Sequence, residues 1–381
     1  MSEAAVSPYS RKNPFPASLT VNRPLTGSGS QKDTRHFEID LQGSGLEYEV
    51  GDSLGVFPTN DPALVDEILH LLELSGDEQV TSPAKEQVSL RDALLYHSIL
   101  TEPSKQLLAA IGEKDLAAQS LRDIVESKDR HALTDYAWGR EVIDPLLEYN
   151  VKFTADEFVA VLRKLQPRLY SIASSLKAHP DQVHLTIATV EYESFGRKRK
   201  GVCTTYLAQR VGDDDKVPVF VHKAKHFRIP EDPATDMIMV GPGTGVAPFR
   251  AFLEERKAIA APGRNWLFFG EQHSTSEFFY RDEFEAYQKD GTLARFDTAF
   301  SRDQEHKIYV QHRLLENGAD IWAWLEGGAY FYVCGDAERM AKDVEATLIE
   351  IIEIHGKKSQ EEAEAWLADF KKAKRYRKDV Y

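Results

Sequence analysis

The sequence predicts two domains: an antiparallel β-barrel carrying an α-helical insertion, followed by an α/β domain with a doubly wound parallel sheet. Three observations carry this. Apolar residues recur at period two early in the chain and again in its middle, at helical period between those stretches, and in strand–helix alternation from Met237 onward. A length of 381 residues is enough for two sizeable cores and an insertion.

Residues 1–16 are rich in Ser, Pro and Asn without periodicity and read as a tail. Barrel strands are expected at 17–22, at 36–41 and, broken by Gly51 and Gly55, between Tyr48 and Pro58. From Asp61 the spacing turns helical, with Leu64, Ile68, Leu71 and Leu72 on one face, then Leu90, Leu94 and Leu95, then Leu107 and Leu108, ending near Leu162. Strand patterns resume at 168–175, 183–190 and 217–221. Residues 17–60 and 163–232 therefore form the barrel and 61–162 the insertion, and 233–381 form the α/β domain, with Pro230-Glu-Asp-Pro233 as the hinge. In that last domain, strands at 237–240, 266–269, 295–299 and 330–333 alternate with helices near 248–258, 278–288, 309–325 and 337–355.

Composition narrows the function. A formal charge of −14 speaks against a nucleic-acid footprint or binding to an anionic membrane. No apolar run approaches the roughly 20 residues of a membrane span, and the N-terminus lacks a basic start and an apolar h-region, so a cytoplasmic protein is expected. Cys203 and Cys334 lie too far apart for a CxxC motif, and two cysteines cannot hold an iron–sulfur cluster or a four-cysteine zinc site. No metal is expected, and redox chemistry would need an organic cofactor.

Three motifs supply candidates for that chemistry. Arg168-Leu-Tyr-Ser-Ile-Ala-Ser-Ser175 places a cation, an aromatic ring and a row of hydroxyls on one segment, groups that suit a flavin dinucleotide: Arg168 for pyrophosphate, Tyr170 as a flat face, Ser171 as a donor to the ring. Gly241-Pro-Gly243-Thr244-Gly245 lies between a strand and a helix, where backbone can approach a pyrophosphate closely; it departs from GxGxxG, with Val246 at the last glycine position and Pro248 placed to start the helix. Gly201-Val202-Cys203-Thr204-Thr205 precedes a short helix that Thr204 or Thr205 could cap, offering a second anion site. Glu271, after the second strand of the α/β domain, points to NAD, while Ser301, Arg302, Lys307 and Tyr309 can hold a 2′-phosphate and stack on adenine; the latter group favours NADP.

Together these motifs resemble the ferredoxin–NADP reductase-like module of the diflavin reductases, most closely that of the NADPH-dependent assimilatory sulfite reductase flavoproteins. The likeness runs from about Asn13 to Tyr381 through Arg168–Ser175, Gly241–Arg250, Asn265–Gly270, Ser301–Gln304, Lys307–Gln311, Tyr332–Asp336 and the terminal Arg-Lys-Asp-Val-Tyr. It implies FAD held by Arg168, Leu169, Tyr170, Ser171, Thr186, Ile187, Ala188, Tyr192, Gly201, Val202, Cys203 and Thr204, with Thr101 reaching in from the insertion and Tyr381 covering the flavin. It implies NADPH held by Gly241, Gly243, Thr244, Gly245, Ser301, Arg302, Lys307, Ile308, Tyr309, Val310, Gln311 and Asp343, with Arg23 added. Ser171, Cys334 and Asp379 resemble the hydride-transfer set, in which a hydroxyl or thiol and a carboxylate stabilise the charge that moves with hydride.

The resemblance further implies an FAD-dependent NADPH reductase. The sequence has no room for an FMN domain before Phe15, so electrons are expected to reach a separate acceptor: flavodoxin-like, ferredoxin-like or a sulfite reductase haemoprotein. Arg197-Lys198-Arg199-Lys200 and Lys223, Lys225 and Arg228 are candidate docking charges. A reductase outside sulfur metabolism, a non-catalytic flavin- or nicotinamide-binding subunit, and a flavin-free dehydrogenase are the alternatives.

Overall fold

A computed structural model describes residues 7–129, 131–149 and 151–381. The first six residues of the expected tail lie outside the described residues; of the rest, Ser10 and Asn13 already bridge and the first strand begins at Phe15. The chain divides into two units. One comprises the stretch up to Gly55, Leu169–Ala188 and Asp213–Tyr381; the other comprises Val56–Arg168 and Thr189–Gly212. The division differs from the expected one, because barrel and parallel sheet fall in one unit and residues 189–212 go with the insertion.

The first unit contains a six-stranded sheet in the order Arg168–Ser171, Ser53–Val56, Lys216–His222, Phe15–Pro24, Thr34–Asp40, Gln182–Ala188. A bridge between Ile172 and Leu185, with the Ala173 N–H donating to His184 O at 2.8 Å, returns the first strand to the last and closes the barrel. Period two sorts the faces. Phe37 opposite Leu185 and Ile39 opposite Val183 fill the apolar side, while His36, Glu38, His184 and Thr186 point the other way.

The same unit holds a parallel sheet ordered Arg295–Phe300, Asn265–Glu271, Met237–Val240, Tyr330–Gly335, Tyr376–Val380. The order reverses at Met237–Val240, so the crevice for a ligand lies beyond the carboxyl ends of that strand and its neighbours. Ile238, Val240, Trp266 and Phe268 pack one face against the helices that follow Tyr309. Met237, Met239, Leu267, Phe269, Tyr332 and Cys334 pack the other against Phe249, Phe252, Phe279 and Phe284. The fifth strand was not predicted, since Arg377, Lys378 and Asp379 break the apolar run by which buried parallel strands are recognised; an edge strand tolerates them. The helix expected near 309–325 is two, Val310–Glu316 and Gly318–Glu326.

Barrel and parallel sheet are joined by buried polar groups. Tyr280 Oη lies 2.6 Å from Thr186 Oγ1 and 2.9 Å from His36 Nδ1. Arg250 donates to Ala173 O at 2.6 Å and pairs with Glu254 at 2.9 Å and Glu283 at 2.7 Å.

Of the stripes read from the sequence, the second unit buries Ile68, Leu72, Leu90, Leu94, Leu107 and Leu108 around Phe158, with Leu64, Leu71 and Leu95 half-buried against them; Leu69, Leu121 and Leu146 join the same core without having been read. Two hairpins appear in it that periodicity did not predict: Gln79–Thr81 with Gln87–Ser89, and Glu191–Ser194 with Arg197–Lys200. The second sets opposed charges across the strands, Glu191 in register with Lys200 and Glu193 with Lys198, and Lys198 reaches Glu191 at 3.3 Å; taken one strand at a time these read as a charge run.

Candidate functional site

Parallel register brings the C-terminal residues to the chemistry. Asp379 is the partner of Cys334 and Val380 that of Gly335. The Ser171 hydroxyl, from the barrel, donates to Asp379 Oδ2 at 2.6 Å and also hydrogen-bonds with the Cys334 thiol. Cys334 is fully buried; burial, then the Asp379 carboxylate, push its thiol well above the usual range, so it stays protonated. The three residues expected to serve hydride transfer thus converge, and two further bonds attach the terminus: Tyr381 N–H to Gly335 O at 3.1 Å and Ala337 N–H to Tyr381 O at 3.1 Å. Tyr381 is 65 % exposed, and its hydroxyl meets Thr244 Oγ1 at 2.8 Å, tying it to the glycine turn.

That turn opens a helix as predicted, with a 3₁₀ turn over Gly243–Val246 running into Ala247–Ala258. Gly243 has φ 59° and open space above it apart from Glu271 Oε1, which would lie 3.4 Å from an added Cβ. Gly245 is pressed against the Cys334 strand, where a Cβ would lie 2.1 Å from Cys334 O. A cleft of ≈ 530 Å³ begins here and runs along the carboxyl ends of the strands. Its lining includes Gly243, Ser301, Arg302, Lys307, Tyr309, Val310, Gln311 and Asp343, so most of the expected nicotinamide-site residues meet in one place. Tyr309 is 40 % exposed, as a stacking ring must be. Among the described residues Arg302, Lys307 and Arg339 make no ion pair, which leaves three cations for an anionic ligand. Bare backbone at the turn and unneutralised cations farther along fit a dinucleotide phosphate at each position.

Five expected residues are outside this lining: Gly241, Thr244 and Gly245, which belong to the turn itself, and two that fall elsewhere. Arg23 sits on the first strand opposite His36 and is not in the cleft lining, and Ile308 packs into the core of the sheet. Lys32, Gln272 and Arg339 line the cleft and were missed. Lys32 comes from the loop after the first strand and reaches Glu271, 239 positions away, a contact no sequence spacing announces.

In the first unit the flavin motif presents Leu169 48 % exposed and Ser171 partly so, while Ile172, three positions on and therefore on the opposite face of the strand, is buried. Exposure of Leu169 beside Tyr170 suits an apolar ligand face. The Thr186 hydroxyl meets Tyr280 Oη and Ile187 is buried in the barrel, which leaves their backbone, with Ala188 at the strand end, to serve a ligand.

In the second unit a cleft of ≈ 300 Å³ is lined by Thr101, Arg197, Lys198, Lys200, Val202, Thr205 and Arg210. Gly201, not a threonine, caps the helix Val202–Thr205; Thr204 and Thr205 instead turn their hydroxyls back to Gly201 O at 3.3 and 2.8 Å. Cys203 is buried, and Tyr192 is 50 % exposed on the hairpin. Arg168 donates to Gln166 O at 2.8 Å. Arg197, Lys198 and Lys200 of this cleft are already paired with acids of the same unit, which leaves a half-exposed ring on the hairpin and the backbone at Gly201 open to a ligand.

The basic run is partnered by acids of its own unit. Arg197 forks onto Glu67 (2.8 Å for one arm), Lys198 pairs with Glu191 at 3.3 Å and Lys200 with Asp61 at 2.6 Å. Arg199, 2 % exposed, holds Glu141 at 3.0 Å and Asp144 at 2.9 Å. Lys223 and Arg228 both pair with the buried Asp52. One group in the first unit, His36, Glu38 and His184, brings three possible metal-ligand atoms within 4.8 Å. Its nitrogens are already engaged: His36 by Tyr280 and Glu38, and His184 by Arg250 Nη1 at 3.3 Å. That guanidinium disfavours a second cation, and the group reads as part of the polar junction between barrel and sheet.

Comparison with known proteins agrees with this geometry. A profile described as "FAD binding domain" matches residues 7–206 and one described as "Oxidoreductase NAD-binding domain" matches 239–346. Curated relatives include proteins named sulfite reductase (NADPH) flavoprotein alpha-component from Bacillus subtilis strain 168, 48 % identical over all of this chain and 63 % of the relative; from Vibrio parahaemolyticus, 47 % identical over 99 % and 60 %; and from Yersinia enterocolitica, 46 % identical over 100 % and 62 %. The chain spans about three fifths of the length of the curated relatives it matches. No helix among the described residues is long and apolar enough to cross a membrane. Since the first profile covers more than half of the sequence, the chain belongs to the FAD-binding-domain flavoproteins that carry an oxidoreductase NAD-binding domain after it.

Proposed function

We propose that this chain is an FAD-dependent NADPH reductase that passes electrons to a separate acceptor protein, as the flavoprotein part of a sulfite-reducing system. The observation that carries this is the convergence of Ser171, Cys334 and Asp379, with Tyr381 bonded to the turn at Thr244. FAD, when bound, supplies the acceptor of a hydride and the step from paired to single electrons. The chain's own residues supply position and charge. Asp379 favours the positive charge that nicotinamide gains on losing hydride; the Ser171 hydroxyl, donating to that carboxylate, holds it in place, and the neutral Cys334 thiol adds a polar hydrogen beside them. Tyr381, exposed and held by a single side-chain bond, is placed to move aside. Arg302 and Lys307 favour NADP over NAD.

The names of the relatives support a sulfite reductase haemoprotein as the acceptor, and a groove of ≈ 1050 Å³ rich in cations, with Lys225, Lys374 and Arg377 in its lining, supports docking of an acidic carrier instead of the run at 197–200. The test is to release flavin from the purified chain, identify it, and follow NADPH oxidation with a flavodoxin, a ferredoxin and a sulfite reductase haemoprotein. FAD and turnover with at least one acceptor are expected. Absence of flavin, or oxidation of NADPH by none of the three, overturns the proposal.

A further inference from the structure

The cleft at the sheet edge carries four cations, Lys32, Arg302, Lys307 and Arg339, and of these Lys32 alone is bound to a carboxylate among the described residues. Its Nζ lies 2.7 and 3.0 Å from the two oxygens of Glu271. The pair is lopsided, since the lysine side chain is 38 % exposed and the glutamate 5 %. Glu271 also accepts from Gln272 N–H at 2.9 Å and stands over Gly243, so an acid faces the turn where phosphate would approach. Burial raises the Glu271 carboxyl above its usual range, and Lys32 partly offsets that.

The loop bearing Lys32 does not need this contact to stay in place. Gly27 N–H donates to Ser276 O at 2.7 Å, and Ser30 donates to Glu277 at 2.6 Å. Lys32 can therefore leave Glu271 while its loop remains docked. We propose that Glu271 holds Lys32 in reserve in the free protein and surrenders it to a phosphate of the incoming dinucleotide, so that Glu271 sets cofactor affinity by competing for the lysine. This rests on the assignment of the cleft to NADP. A lysine exchanged between carboxylate and phosphate costs the ligand the ion pair it replaces, worth about 1 kcal/mol at a partly exposed site, or roughly fivefold in affinity.

The experiment is calorimetric titration of the whole chain with NADP+, for the wild type, E271Q, K32A and the double variant. E271Q is expected to bind about fivefold tighter, a gain that mere loss of structure would not give, and K32A to bind weaker. The gain from E271Q should largely vanish when Lys32 is absent, because competition requires the lysine. Unchanged or weaker binding by E271Q overturns the exchange, as does a gain that persists undiminished in the double variant, which would be plain repulsion. Wild-type chain that binds no NADP+ overturns the assignment of the cleft itself. Should E271Q fold poorly, K32Q keeps the question open to decision: affinity unchanged from wild type means that the lysine never reaches the phosphate, and the exchange fails.

Discussion

Replacing Gly245 by alanine tests whether the glycine turn and the hydride-transfer residues are one construction. The added Cβ would lie 2.1 Å from Cys334 O and 2.7 Å from Cys334 C, both backbone atoms, so no flexible side chain can give way. Ordinary contact needs the turn or the strand to retreat by about 1 Å. The strand cannot do so cheaply, being paired on both sides by Met237–Val240 and Tyr376–Val380. Overpacking of this kind costs about 1–3 kcal/mol. Movement of the turn shifts Thr244 from Tyr381, and movement of the strand shifts Cys334 from Ser171, so either response reaches the site. The expectation is a loss of about 2 kcal/mol in urea unfolding together with at least roughly tenfold weaker NADP+ binding. Gly243→Ala is the control: its φ of 59° carries a left-handed penalty of about 1–2 kcal/mol but no clash below 3.4 Å. G245A with wild-type stability and wild-type NADP+ affinity would refute the close approach on which this rests.

Asp379→Asn keeps the Ser171 contact in shape but removes the charge; hydride transfer from NADPH, followed in a stopped-flow instrument, should slow by at least about tenfold while NADP+ affinity changes little, and an unaltered rate would remove Asp379 from the chemistry. Arg199→Ala strands the carboxylates of Glu141 and Asp144 without their buried cation, and should cost about 3–5 kcal/mol in the unfolding of its unit; a loss below about 1 kcal/mol in urea titrations would count against the ion triad. Acid should weaken the junction of barrel and sheet. Burial, and then Arg250, hold His36 down at about 3 and His184 at about 2, against 6.5 in an unfolded chain. The unfolded state thus binds more protons below pH 6.5, stability falls as pH drops from there toward 3, and each histidine removes up to about 2 kcal/mol between pH 7 and 5. His184→Gln should flatten that slope, and a slope equal to wild type would show that His184 does not titrate on unfolding.

The sequence carried the strand at Met237–Val240, the turn after it and the Arg302–Tyr309 group because these are local: an apolar run, glycines and a cluster within nine positions. The cores followed for the same reason, since period fixes which face is buried. What escaped was pairing. Glu191–Ser194 and Arg197–Lys200 carry mostly charge, and only when they are laid antiparallel does Glu191 meet Lys198; taken alone, the second strand looked like a free basic patch. Tyr376–Val380 escaped as a strand although its last residues were assigned to the site, because its apolar content is too small to mark an edge strand.

Arg23 and Lys32 show where motif reasoning stops. Both are cations in the same stretch of the barrel, nine positions apart, and only one reaches the cleft. Arg23 lies on a strand whose register with Thr34–Asp40 fixes it opposite His36. Lys32 lies in the loop between those strands, docked by Gly27 and Ser30 onto residues 276 and 277, and that docking aims it at Glu271. Nothing local distinguishes the two side chains. The difference arises from the residues that tie the loop to a distant strand end, so a phosphate-binding lysine and its rival carboxylate become visible only once the chain has closed on itself.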